Sequence, residues 1–109
     1  MKKSLFILFS FFAAAAALLS SCSAKDSTIT VMSYNVRMGV ANDGEISWEN
    51  RKAATPAMLA DCAPDVFGVQ EAFDFQLDYI EQTSPAYKWV GVGRDDGKTK
   101  GEYMAVFYN

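Results

Sequence analysis

Apolar and polar positions along the chain mark six elements behind an apolar leader. Thr28-Ile-Thr-Val-Met-Ser-Tyr-Asn-Val-Arg37 sets Ile29, Val31 and Ser33 against Thr30, Met32 and Tyr34. Period two and β-branched residues predict a strand there. Gly39 to Gly44 ends in Asn42-Asp43-Gly44 and reads as a loop with turn chemistry. Ser47 is a plausible N-cap for a helix that begins near Trp48 and carries Arg51, Ala54 or Thr55, Met58 or Leu59, and Cys62 at helical spacing. Pro56 interrupts that run: either the helix kinks, or Thr55 caps a second short helix with Pro56 at its first position, and Pro64 ends it. Asp65-Val-Phe-Gly-Val-Gln-Glu71 is nearly all apolar and closes on two polar residues, the look of a strand buried on both faces that delivers side chains at its carboxyl end. Phe73 to Thr83 is predicted helical, with Phe73, Leu77 and Ile80 on one face, and Ser84-Pro85 stops it. Tyr87 to Gly93 and Glu102 to Tyr108 are strands joined by the polar loop Arg94 to Gly101, an expected hairpin.

The order β-α-β-α-β-β allows the first two strands to lie as parallel neighbours, linked through a helix, and makes the last two an antiparallel pair. A mixed α/β sheet of about four strands, with two helices on one face, follows. The apolar strand Glu102 to Tyr108 stops at Asn109 with nothing to cover the other face of the sheet, so the chain is expected to be the first part of a larger fold.

The leader is excluded from that fold. Lys2 and Lys3 precede an apolar run from Leu5 to Leu19 broken only by Ser10, and small residues follow. This is the layout of a secretory signal, and its apolar core is short for a membrane span, which needs ~20 residues. Leu19-Ser20-Ser21-Cys22 resembles the lipobox of bacterial lipoproteins, which implies cleavage after residue 21 and lipid on Cys22. An ordinary signal peptide cut near Ser23-Ala24 is the alternative. The domains are then a signal peptide at 1–21, a tether at 22–27 and a globular part at 28–109. The expected location is the cell envelope, held to a membrane through Cys22. With Cys22 lipidated, Cys62 is the remaining thiol, and its apolar neighbours Leu59, Ala60 and Ala63 predict a small buried hydrophobe.

Composition removes several functions. The formal net charge is −3, and losing Lys2 and Lys3 with the leader makes the rest more acidic. There is no strong nucleic-acid signal, because phosphate-holding modules are basic. The count of His is 0, which removes the commonest general base and zinc ligand.

Asn35 and Glu71 stand where the first two strands run out, and in open α/β sheets ligands gather at the carboxyl ends of strands. A carboxylate beside an amide suits Mg²⁺, which takes one or two carboxylates and keeps several waters. The same residues also read as a turn former and a helix-start acid. Glu102 reads as an edge gatekeeper, Gly91-Val-Gly93 as a tight strand exit, and Arg94 as either a contact for an anion or a balance to Asp95 and Asp96. Trp48, Trp89, Phe107 and Tyr108 read as core, and Asp74 and Asp78 as a solvated stripe.

Val31-Met-Ser-Tyr-Asn-Val-Arg37, Trp48-Glu-Asn-Arg51, Pro64-Asp-Val-Phe-Gly-Val-Gln-Glu71 and Gly101-Glu-Tyr-Met-Ala-Val-Phe-Tyr108 together resemble the endonuclease/exonuclease/phosphatase superfamily. That group includes deoxyribonuclease I-like nucleases, abasic-site endonucleases, neutral sphingomyelinases and inositol-phosphate phosphatases. The resemblance runs from about Thr28 to Asn109 and covers the family's N-terminal part. It implies the first half of a four-layer α/β sandwich and a phosphoester substrate, with hydrolysis dependent on Mg²⁺ or Mn²⁺. By similarity Glu71 is the principal metal ligand, Asn35 lies at the metal and phosphate site with a catalytic role, and Glu102 is the acid that orients the family's active-site His. The family's later motifs, including every His, are missing, so the chain alone is expected to be inactive, activity belonging to a longer protein. The alternatives are a non-catalytic, truncated lipoprotein that binds at most metal or a partner, and a small dedicated binding module, which leaves the pairing of Asn35 with Glu71 unexplained.

Overall fold

The computed structural model describes residues 27–109. The leader at 1–21, Cys22 and all but the last residue of the tether lie outside the described residues. Along the described chain run β1 (Val31–Asn35), a 3-10 turn (Gly44–Ile46), α1 (Trp48–Arg51), α2 (Ala54–Cys62), β2 (Val66–Ala72), α3 (Asp74–Thr83), β3 (Lys88–Gly93) and β4 (Tyr103–Tyr108).

The four strands form one mixed sheet in the order β1-β2-β4-β3. β1 and β2 are parallel, as the helical crossover between them allows, and β4 pairs antiparallel with both β2 and β3. The register puts Met32, Phe67, Phe107 and Trp89 in one row across the sheet. This row faces the helices. Phe67 stacks on Phe107 at 4.8 Å, and Tyr87 meets Phe67 edge-on at 5.1 Å. Leu59 of α2 and Leu77 and Ile80 of α3 are buried in the same core. Burial of each such side chain contributes roughly 1.5–3 kcal/mol. The Tyr87 hydroxyl donates to the Pro64 carbonyl at 2.7 Å, so its polar end is satisfied inside the core, and burial pushes that phenol above its ordinary range.

Of the two readings at Pro56, a kinked helix or a second short helix, the structure shows two helices. The break falls at Lys52 and Ala53, so Pro56 is the third residue of α2, where its missing N–H is one that no helix start can satisfy. Thr55 does not cap. It is buried, and its hydroxyl pairs with the Tyr34 hydroxyl at 2.9 Å, tying α2 to β1. Ala63 then adopts the left-handed conformation (φ 42°) and Pro64 prevents continuation.

Three burial expectations are corrected. Cys62 is exposed: it shares the helical spacing of Thr55 and Leu59 but is the last residue of α2, where the chain peels away. Tyr108 is exposed, because its register with Val66 and Lys88 puts it on the sheet face away from the helices. β2 is buried on one face only: Phe67 and Val69 are covered, whereas Val66, Gly68 and Gln70 are half-buried. The open face carries exposed Val31, Val90, Val92, Met104 and Val106, and among the described residues no element lies over it. Gly91 and Gly93, read from the sequence as a tight strand exit, serve close approach of neighbouring backbone. A Cβ on Gly91 would lie 2.8 Å from the Met104 carbonyl oxygen, and one on Gly93 would lie 2.3 Å from that of Lys100.

Candidate functional site

The carboxyl ends of β1 and β2 lie side by side, with Asn35 registered against Gln70. Along β2, Phe67 and Val69 point to the helices, so strict alternation would send Glu71 inward as well. A β-bulge prevents this. Val69 pairs with Ala105 and Ala72 with Tyr103, so Gln70 and Glu71 together oppose the single residue Met104. Ala72 thereby takes the inward place, fully buried, and Glu71 becomes the extra residue, with φ +61°.

Glu71 Oε1 accepts a hydrogen bond of 2.8 Å from Asn35 Nδ2. The Asn35 Oδ1 accepts the Arg37 backbone N–H at 2.8 Å, which orients the amide so that its NH₂ faces the carboxylate. Glu71 Oε2 is buried and has no hydrogen-bond partner. Such an orphan oxygen is costly unless a group from outside the chain partners it.

Beside Glu71 lies a cavity of about 250 Å³ lined by Gln70, Glu71, Arg94, Glu102, Tyr103 and Met104. Arg94 Nη1 donates to Glu102 Oε2 at 3.0 Å. Arg94 is the exposed partner and Glu102 the more covered one, so this pair contributes ~0–1 kcal/mol. The loop between β3 and β4 is held by Asp96, whose Oδ1 accepts the backbone N–H groups of Lys98, Thr99 and Lys100. Those bonds, that from Lys100 first, hold the Asp96 carboxyl below the usual carboxylate range. Arg94 therefore balances Glu102 rather than Asp95 or Asp96. A larger cavity, about 340 Å³, lies elsewhere, between the ends of α2 and α3, with mainly apolar walls.

All three acids and amides singled out from the sequence lie at this edge, Asn35 on Glu71, and Glu102 in the same cavity as Glu71. Among the described residues no three Cys, Asp or Glu side chains cluster as a metal cage.

Neither a protein-family model nor a curated protein sequence matches the chain. Solved structures do. A mannosyl-6-phosphatase of Bacteroides thetaiotaomicron is 40% identical over 75% of this chain, with a TM-score of 0.71. A second protein of that organism, described as an endonuclease/exonuclease/phosphatase family protein, is 41% identical over 76%, with a TM-score of 0.72. The chain belongs to the endonuclease/exonuclease/phosphatase family. A further member, from Bacteroides vulgatus, is 34% identical over 76% of the chain, again with a TM-score of 0.72. The chain spans 31–32% of the length of these family structures. Its mixed four-stranded sheet with three helices matches their fold.

Sequence reasoning overlooked the residues that hold the edge in shape. Arg37, at φ +59°, forms a two-pronged ion pair with Asp43 through bonds of 3.1 and 2.9 Å. The guanidinium keeps the Asp43 carboxyl below its usual range, and Asp43 raises Arg37 in turn. Arg51 lies over the Trp48 ring at 5.2 Å and donates to the carbonyls of Ile46 and Arg37. Gln76 bridges the turns after β1 and β2. One signal for Gln76 stood in the sequence: it is a polar residue one helical turn from Phe73 and Ile80, inside the apolar stripe of α3.

Proposed function

We propose that this chain supplies the metal-holding edge of a Mg²⁺-dependent, or Mn²⁺-dependent, phosphoesterase of the endonuclease/exonuclease/phosphatase family. The observation that carries the reading is the Glu71 carboxylate, one oxygen held by Asn35 and the other buried without a partner. One free carboxylate oxygen fits a cation that keeps most of its waters. Glu71 would hold the ion. Asn35 would aim the carboxylate and lie close enough to donate to a phosphoryl oxygen, its catalytic role. Glu102, now paired with Arg94, would face the same cavity as a positioning acid. A bound divalent ion supplies neutralisation of phosphoryl charge and of the developing charge on the leaving oxygen.

A small phosphomonoester is the substrate class favoured here. The support is the mannosyl-6-phosphatase at 40% identity, together with an acidic charge that disfavours a nucleic-acid backbone. The 109 residues by themselves are proposed to be inactive: with 0 His they lack the usual proton-transfer group, a loss that costs ~10²–10⁴-fold. Lipid on Cys22 would place the protein in the cell envelope.

The test is an assay of the protein at its full natural length on a sugar phosphomonoester, a bis-aryl phosphodiester and DNA, with and without Mg²⁺, alongside membrane fractionation. Expected are Mg²⁺-dependent release of phosphate from the monoester, loss of at least ~10²-fold on Glu71→Ala, and transfer of the protein to the soluble fraction on Cys22→Ser. Equal turnover by Glu71→Ala would overturn the assignment of the ion. Turnover by residues 22–109 alone would overturn the inactivity of this stretch.

A further inference from the structure

Gln76 is fully buried and polar, and nothing assigned above to hydrolysis uses it. Its side-chain Oε1 accepts the backbone N–H of Gly39 at 2.8 Å and that of Phe73 at 3.0 Å. Its Nε2 donates to the Arg37 carbonyl at 3.0 Å. Phe73 lies two residues beyond Glu71 and caps α3, so the bond to its N–H is the helix-start half of a capping box. The other two bonds have no part in capping. They go to the turn that leaves β1 just past Asn35.

The geometry around these bonds is tight. A Cβ on Gly39 would lie 2.7 Å from Gln76 Cδ and 2.5 Å from Phe75 Cζ, so the turn backbone rests directly on the amide. The same Arg37 carbonyl also accepts from Arg51 Nη2 at 3.0 Å. Arg37 and Glu71 both hold positive φ, +59° and +61°. Such backbone conformations persist only where surrounding contacts over-determine them. A methionine at position 76 would fit beside Leu77 and Ile80 without demanding partners, whereas a buried amide must be satisfied. Here three of its four hydrogen-bonding positions are used, on either side of the Asn35–Glu71 pair.

We infer that Gln76 is a positioning residue: its amide clamps the exits of β1 and β2 together and so sets Asn35 Nδ2 against Glu71 Oε1. This role rests on the reading of Glu71 as the metal-holding carboxylate. Displacements of ~1 Å in such a pair cost ~10²-fold in rate.

The experiment compares the full-length protein with its Gln76→Met and Gly39→Ala variants, the second displacing the amide while leaving the cap residue in place. Three readouts are taken well below each melting temperature: the Asn35 side-chain NH₂ resonances without metal, Mn²⁺-induced line broadening at residues 35 and 71, and kcat with KM for a phosphomonoester. In Gln76→Met the Asn35 resonances move to free-amide positions, the Mn²⁺ midpoint rises about 10-fold or more, and kcat falls ~10²-fold. Gly39→Ala shifts the same signals in the same direction. A lowered melting temperature with wild-type Asn35 resonances and Mn²⁺ midpoint in both variants would reduce Gln76 to a helix cap and overturn the inference. If Gln76→Met does not fold, Gly39→Ala decides by the same criteria. Absence of turnover in the wild-type protein would sink the phosphoesterase reading alone, since the resonances and the Mn²⁺ midpoint still judge Gln76.

Discussion

Glu71 holds φ +61°, a conformation in which an L side chain crowds the backbone. Its carboxylate also carries a buried, unpartnered oxygen. Both features destabilise the isolated fold, and both follow from turning the acid out of the sheet's alternation toward Asn35. Glycine relieves the first and removes the second, whereas alanine removes only the second. Glu71→Gly is therefore expected to be about 1 kcal/mol more stable than Glu71→Ala, read as a higher urea midpoint at unchanged slope. Equal midpoints would mean that the bulge stores no backbone strain. The residue types at the edge were legible in the sequence, since a carboxylate and an amide closing two apolar runs stand out. The bulge was not. It arises from the pairing of β2 with β4, whose residues lie more than thirty positions apart. Gln76 was missed for a related reason: its partners, the N–H of Gly39 and the carbonyl of Arg37, are backbone groups that side-chain chemistry does not announce.

At the scale of elements, periodicity located every strand and helix core, because one face of each is buried against the others. Its errors fell at ends and on faces. Helix α2 starts at Ala54, after a break at Lys52 and Ala53 that Pro56 signals only indirectly. Cys62 was misplaced because apolar neighbours along the chain are not neighbours in space. The β3–β4 hairpin depends on a glycine for a different reason: Gly93 lets the backbone of Lys100 come within a distance that leaves no room for a Cβ. Gly93→Ala is expected to cost at least ~2 kcal/mol and to weaken amide-exchange protection across Lys88–Gly93 and Tyr103–Tyr108. Protection equal to the wild type would show that the loop yields at little cost.

For the molecule as a whole, the decisive feature is that, among the described residues, helices cover one side of the sheet only. Val31, Val90, Val92, Met104 and Val106 form a broad apolar surface on the other side, of a kind that soluble proteins seldom leave bare. The chain spans about a third of the length of its family structures. The 109-residue chain is expected to enhance the fluorescence of an apolar dye strongly. The double substitution Val90→Lys and Val106→Lys should abolish most of that signal while the melting temperature falls by only a few degrees, since neither side chain belongs to the core. Unchanged dye binding would locate the apolar surface elsewhere.

The residue pattern along the chain set the elements and their order and allowed the parallel pairing of the first two strands, and the family resemblance of its motifs singled out Asn35 and Glu71 as the pair to watch. The elements and the pairing follow from side-chain periodicity and from the short reach of connections, which neighbouring residues encode. Only the tertiary structure decided that Glu71 turns outward, that one of its oxygens is left without a partner, and that Gln76 joins the two strand exits. Each of those depends on backbone groups brought together from distant positions, and a linear pattern of side chains carries no record of where distant backbone will meet.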